Sequence, residues 1–158
     1  MLGPGISFEL DPPSAATTAG RIVATLPTYP WLIAEHDGIP VAYAYAGVYG
    51  TRPAYRWTAE TTIYVDASQR GRGVGRTLYP ALLAILRAQN LRTALARLAL
   101  PNPGSEALHR AAGFTPVGVH PDAGYKHSVW HPIAYWYCSL NDTDPPKEPV
   151  PFAALTLE

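Results

Sequence analysis

The chain of 158 residues is long enough for one domain with its own hydrophobic core. Hydrophobic residues make up 47% and charged residues 15%, which excludes a disordered composition, and a formal net charge of zero builds in no attraction to nucleic acid or an anionic membrane. The lone cysteine, Cys138, excludes an intramolecular disulfide, the apolar runs fall well short of a membrane span, and no basic segment leads into an apolar stretch at the N-terminus, so a cytoplasmic location is expected.

Residues 1–30 mix Gly, Pro, Ser, Thr and Ala with little periodicity. A short helix is expected over 17–26, with Ile22, Val23 and Leu26 on one side and Pro27 ending it. A strand over 31–36, the turn dipeptide Asp37-Gly38 and a strand over 41–48 read as a hairpin. A third strand is expected over 56–65. Its alternation sends Ala59, Thr61, Ile63 and Val65 to one face, and Thr58, Glu60, Thr62 and Tyr64 to the other.

Residues 72–89 read as a helix with Leu78, Leu82, Ile85 and Leu86 as its apolar stripe and Asn90 as its stop. Pro80 falls inside it, where a kink is expected. A strand over 91–100 follows, then a helix over 105–112 with Ser105 as N-cap and Gly113 just past its end. Strands over 114–119 and 133–140 complete the pattern, and the proline-rich tail 141–158 reads as extended and poorly packed. Hairpins followed by strand–helix–strand–helix–strand describe a mixed α/β sheet, mostly antiparallel and flanked by helices, in one domain with a core over about 29–140.

The most informative stretch is Gln69-Arg70-Gly71-Arg72-Gly73-Val74-Gly75, which joins a strand to a helix. Glycines let a ligand approach the backbone, and the first N–H groups of a helix have no intrahelical partner, so the turn is built to cradle an anion. Arg70, Arg72 and Arg76 add positive charge. A Walker loop would need Gly-Lys-Ser/Thr, which is absent. A dinucleotide fingerprint would need its third glycine three residues after the second and an acidic residue about 20 further on, and neither is present.

The remaining pattern, Arg70-x-x-Gly73-x-Gly75, resembles the acyl-CoA-binding turn of the GNAT acetyltransferase superfamily. Further segments narrow the likeness to its phosphinothricin and methionine sulfone acetyltransferases. They are Tyr29-Pro30-Trp31-Leu32, Trp57-Thr58-Ala59-Glu60, Ile63-Tyr64-Val65, Leu100-Pro101-Asn102, His109 with Gly113-Phe114, Gly124-Tyr125-Lys126-His127 and Trp130-His131. The resemblance implies a GNAT fold and transfer of acetyl from acetyl-CoA to a small amino-acid-like amine. Glu60 matches the family's general base and His109 its catalytic histidine. Ile63, Tyr64 and Val65 match the strand beside the pantetheine arm. Arg70, Gly71, Arg72, Gly73, Val74, Gly75 and Arg76 match the pyrophosphate turn, and Asn102 lies near the same cofactor. Arg52 and Tyr55 match positions lining the substrate's acidic end. A homodimer is implied; a metal, nucleic acid or membrane is not.

Two departures accompany the likeness. The family's first strand and helix, which precede the segment matching Ile6-Ser7-Phe8, are expected to be missing here. Gly50 stands where phosphinothricin-acetylating members carry lysine, which weakens recognition of a phosphinate.

The chemistry asks for the same residue types independently. A base must take a proton from the ammonium before it attacks, and an imidazole can meet the departing thiolate. Other readings stand beside these. Glu60 also reads as a solvent-facing carboxylate, His109 as a structural core histidine and Arg52 as an ordinary loop cation. Tyr135, Trp136 and Tyr137 read as sheet packing, and residues 125–131 as pocket wall or dimer surface. Acetylation of another amine or a peptide N-terminus, or acyl-CoA binding without turnover, are the alternative functions.

Overall fold

The computed structural model describes residues 8–156; Ile6 and Ser7, and the last two residues of the tail, lie outside the described residues. A six-stranded sheet runs in the order β1–β2–β3–β4–β6–β5, formed by β1 (Trp31–His36), β2 (Ile39–Val48), β3 (Thr58–Val65), β4 (Thr93–Ala99), β5 (Thr115–Lys126) and β6 (Val129–Ser139). Three helices accompany it: α1 (Ala15–Thr25), α2 (Val74–Ala88) and α3 (Pro103–Ala111). Every pairing is antiparallel except β3 with β4. That parallel pair has only three rungs, Thr58↔Thr93, Ala59↔Ala94 and Glu60↔Leu95. Beyond Glu60 the two strands diverge, while β3 stays paired with β2 as far as Val65. The sheet is therefore split on one side of its middle.

The core follows from the sequence periodicities. Helix α2 buries Leu78, Tyr79, Leu82, Leu83 and Leu86 against Ala42, Ala44, Ala46 and Ala59. The small strand residues let a helix with bulky side chains lie close. Leu83 and Tyr79 are buried where the expected stripe placed Ile85, which is only half-buried. Pro80 is held inside α2 on its exposed side, where water can take the carbonyl that the proline ring leaves unpaired. Gly73, at φ 85°, precedes the helix, so α2 starts two residues later than the reading from Arg72. Asn90 ends it at φ 61°, as expected.

Three other boundaries moved for identifiable reasons. Helix α1 begins at Ala15 because the Ser14 hydroxyl accepts from the Thr17 N–H at 3.1 Å, and Val23 faces solvent rather than the sheet. Helix α3 begins at Pro103 because the Asn102 side chain, not Ser105, is the N-cap; it accepts from the Ser105 N–H at 3.2 Å. Strand β5 runs seven residues beyond its expected end at 119, and β6 starts four earlier, at Val129 rather than 133. Their hairpin turns through His127 and Ser128, at φ 52° and 62°. No Asn-Gly, Asp-Gly or other glycine-containing pair stands at these two positions, so the strongest hairpin signal was absent from the sequence there.

The tail is extended but firmly attached. The Gln89 side-chain amide donates to the Thr28 and Val150 carbonyls, both at 2.8 Å, and the Phe152 N–H donates to the Thr28 carbonyl at 3.1 Å. The Trp57 indole donates to the Lys147 carbonyl, and Arg56 forks onto Glu148. Proline content pointed to a loose segment, and these long-range hydrogen bonds overturn that expectation. No helix among the described residues is long and apolar enough to cross a membrane.

Candidate active site

A cleft of about 710 Å³ lies between the far end of β3, the start of α2 and the start of α3. Its first wall is Ile63, Tyr64 and Val65, on the stretch of β3 that has lost its β4 partner. Backbone groups of these residues that face away from β2 have no strand to bond on that side. Its end is the turn with Arg70, Gly71, Gly73, Val74, Gly75 and Arg76. Gly71 and Gly73 sit at φ 75° and 85°, where a side chain is strained, and nothing within 4 Å stands over either Cα's missing Cβ. The amides of the first turn of α2 open onto this space. Asn102, Gly104, Ser105 and Leu108 of α3 form the opposite wall. Gly75 allows this approach: a Cβ there would lie 3.0 Å from Leu108 Cδ2.

Ten of the eleven residues expected to hold the cofactor thus line one cleft. Arg72 is exposed and is not among the lining residues. Of the α3 wall the sequence reading had Asn102 alone; Gly104, Ser105 and Leu108 were missed, although Asn102-Pro103 carries the signature of a helix start. An open αL-glycine turn, cationic side chains and two helix N-termini fit a diphosphate, and the unpaired strand edge fits an extended amide-bearing arm.

A second cavity, of about 280 Å³, opens on the other face of the sheet and is lined by Tyr49, Gly50, Tyr55, Glu60, Leu95, Arg97 and Tyr135. Alternation along β3 explains the division. Ala59 and Thr61 are buried towards α2, so Glu60 between them points the opposite way. Both oxygens of Glu60 are engaged by Arg97 of β4, through Nε at 2.7 Å and Nη2 at 2.5 Å. Tyr55 reaches this cavity, and Arg52, just before it in the loop, does not line it. A Cβ on Gly50 would come within 2.7 Å of the Tyr55 ring, so the absence of a side chain there is what seats Tyr55. Tyr135 lines the cavity as well, whereas Trp136 is buried and Tyr137 is exposed. Residues 125–131 line neither cavity; Tyr125 and Trp130 are exposed instead.

His109 is 3% exposed and packs among Tyr79, Phe114 and Trp136 on the helical side. Its Nδ1 lies 2.8 Å from the Ser105 carbonyl, which can only accept, so Nδ1 carries the proton. Burial pushes its pKa below the ordinary histidine value, opposed in part by that hydrogen bond. His109 lines neither cavity, and it and Glu60 lie on opposite faces of the sheet.

Residues 7–114 match the model of the acetyltransferase (GNAT) family. The chain belongs to that family. Among curated relatives of this GNAT chain, it is 37% identical over 142 residues to a phosphinothricin N-acetyltransferase from Streptomyces viridochromogenes, covering 90% of this chain and 78% of the relative. It is 34% identical over 116 residues to an L-methionine sulfoximine/L-methionine sulfone acetyltransferase from Pseudomonas aeruginosa, covering 73% and 67%. A GNAT superfamily phosphinothricin acetyltransferase from Sinorhizobium meliloti, solved in complex with acetyl-CoA, superposes with a TM-score of 0.84 at 33% identity, over 94% of this chain and 81% of that one. The mixed, mostly antiparallel sheet with flanking helices is the GNAT fold, and the protein is an N-acetyltransferase.

Proposed function

We propose that this GNAT enzyme acetylates the amino group of a small amino acid of the phosphinothricin, methionine sulfone or methionine sulfoximine type, with acetyl-CoA as co-substrate. The observation that carries the reading is the split between β3 and β4, with a diphosphate-shaped cleft behind it and the Glu60 cavity in front. When bound, acetyl-CoA supplies an acyl group activated as a thioester. Gly71, Gly73 and the start of α2, with Arg70 and Arg76, hold the diphosphate, and the edge of β3 at residues 63–65 that β4 leaves uncovered aligns the arm along the strand. Asn102 borders the same space while its side chain fixes the start of α3. Glu60 takes a proton from the acceptor's ammonium, directly or through water, and the freed amine attacks the thioester carbonyl, forming the amide C–N bond as the C–S bond breaks and CoA leaves as its thiolate.

His109 is the second catalytic candidate. In the neutral form set by Ser105, its Nε2 carries a lone pair rather than a proton. It donates to a departing thiolate only after gaining a second proton, which burial opposes. In this reading its contribution to turnover grows as the pH falls. Arg52 and Tyr55 remain assigned to the distal, acidic end of the acceptor.

Release of free thiol with a panel of acceptor amines tests the assignment: turnover must depend on acceptor and must collapse in Glu60→Gln. A homodimer is also proposed. Val117, Val119, Tyr125, Val129 and Trp130 expose apolar surface along the β5–β6 ribbon, which supports a second copy there. Light scattering of wild type and Trp130→Glu tests it.

A further inference from the structure

Arg97 is the one cation among the described residues that line the Glu60 cavity, and neither the composition nor any motif drew attention to it. We propose that Glu60 and Arg97 together form a receptor for the zwitterionic head of a free α-amino acid, with the α-ammonium on Glu60 and the α-carboxylate on Arg97. This rests on the reading of Glu60 as the proton acceptor, and it narrows the acceptor to molecules with an unblocked α-carboxylate.

The geometry carries the inference in three steps. Arg97 lies on β4 two residues past Leu95, the last residue paired with β3, so its guanidinium reaches back across the mouth of the split. It meets Glu60 through Nε and Nη2, and its Nη1 makes no hydrogen bond among the described residues. A guanidinium has five donors and an ionised carboxylate about four acceptor sites, so each partner keeps capacity for a second charged group. The pair presents adjacent opposite charges, the complement of an ammonium and carboxylate on one carbon.

A purely structural staple explains less. The Arg97 side chain is 50% exposed and that of Glu60 21%, and an ion pair so placed contributes little to stability. Its partial exposure also means that the fork opens or is shared at low cost when substrate arrives. Around it, Tyr49, Tyr55, Tyr135 and Leu95 provide the apolar wall that a side chain needs. A peptide N-terminus has an amide where the α-carboxylate should be, and it leaves Arg97 unanswered.

The test compares L-methionine sulfone with its α-carboxamide as acceptors for wild type, R97A and R97K at saturating acetyl-CoA. The expected result is a loss of about tenfold to a hundredfold in kcat/KM for the acid in R97A, the scale of one charge-assisted hydrogen bond, beyond the smaller loss that the amide shows through the change around Glu60, with R97K partly restoring the acid. Taking the acid-to-amide ratio cancels the intrinsic difference between the two amines. Equal losses for acid and amide assign Arg97 only to orienting Glu60 and overturn the inference, as does no loss for either. Calorimetric binding of both acceptors with CoA present separates this from the base assignment. Acid bound more tightly than amide by wild type but not by R97A upholds the receptor, and if Glu60→Gln keeps the wild-type kcat the base assignment alone fails. Acid and amide bound alike, or no binding across a panel of standard L-α-amino acids, overturns it.

Discussion

The Thr61 hydroxyl and the Tyr79 hydroxyl lie 2.8 Å apart in the core and join β3 to α2 directly behind the split. Thr61 also donates to the Leu95 carbonyl at 3.2 Å, so the proton between the two hydroxyls comes from Tyr79. A side chain thus bonds the carbonyl of the last rung, where the backbone ladder between β3 and β4 stops. Burial keeps the Tyr79 phenol far from ionising.

Thr61→Val retains the shape of this contact and removes its polarity. It leaves the Tyr79 hydroxyl buried without an acceptor, at a cost of about 1–3 kcal/mol, whereas Tyr79→Phe removes the donor and costs about 1 kcal/mol. Urea denaturation of both variants and of the double variant checks this, with the double expected to be less destabilised than the sum.

Glu60→Gln keeps the fold, because the amide is isosteric and its cavity is open. It is expected to lower kcat by about 10²- to 10⁴-fold, the range for loss of a general base, with acetyl-CoA affinity unchanged. Turnover by thiol release and binding by calorimetry measure the two effects. Retained kcat means that another group takes the proton.

Gly73→Ala probes the cradle. No neighbour stands within 4 Å of the added Cβ, so the cost to folding is the left-handed backbone at φ 85°, about 1 kcal/mol. A methyl group over the turn competes with the diphosphate, and KM for acetyl-CoA is expected to rise by about tenfold or more, the equivalent of one charged hydrogen bond. A KM unchanged from wild type places the diphosphate elsewhere.

His109 makes stability depend on pH. Burial lowers its folded-state pKa below the ordinary 6.5, so between these two values the unfolded chain binds more protons. Stability is therefore complete above about 6.5 and falls as the pH drops through that window. Denaturation between pH 7 and 5 should show a flatter dependence in His109→Asn, whose side-chain amide can still donate to the Ser105 carbonyl.

Removal of residues 147–158 tests the attachment of the tail. The Gln89 amide, 2% exposed, loses its Val150 partner, and the expected cost is about 1–3 kcal/mol. The Arg56–Glu148 pair is exposed and adds little. Thermal unfolding of the shortened chain gives the answer.

Local sequence determined the elements and one of the two cavities. The cleft proposed for the cofactor was legible because its glycine turn, its cations and the strand ahead of it are contiguous, and the physics of a helix N-terminus acts within that same short stretch. Strand alternation likewise placed Glu60 opposite Thr61 without any tertiary knowledge. The tertiary structure decided what depends on distant segments meeting: the pairing of Glu60 with Arg97, the seating of Tyr55 over Gly50, the burial of His109 and the fastening of a proline-rich tail. Arg97 reads in the sequence as one more charge on a strand. Only the divergence of β3 from β4, a relation between strands separated by a whole helix, makes it a neighbour of the proposed base.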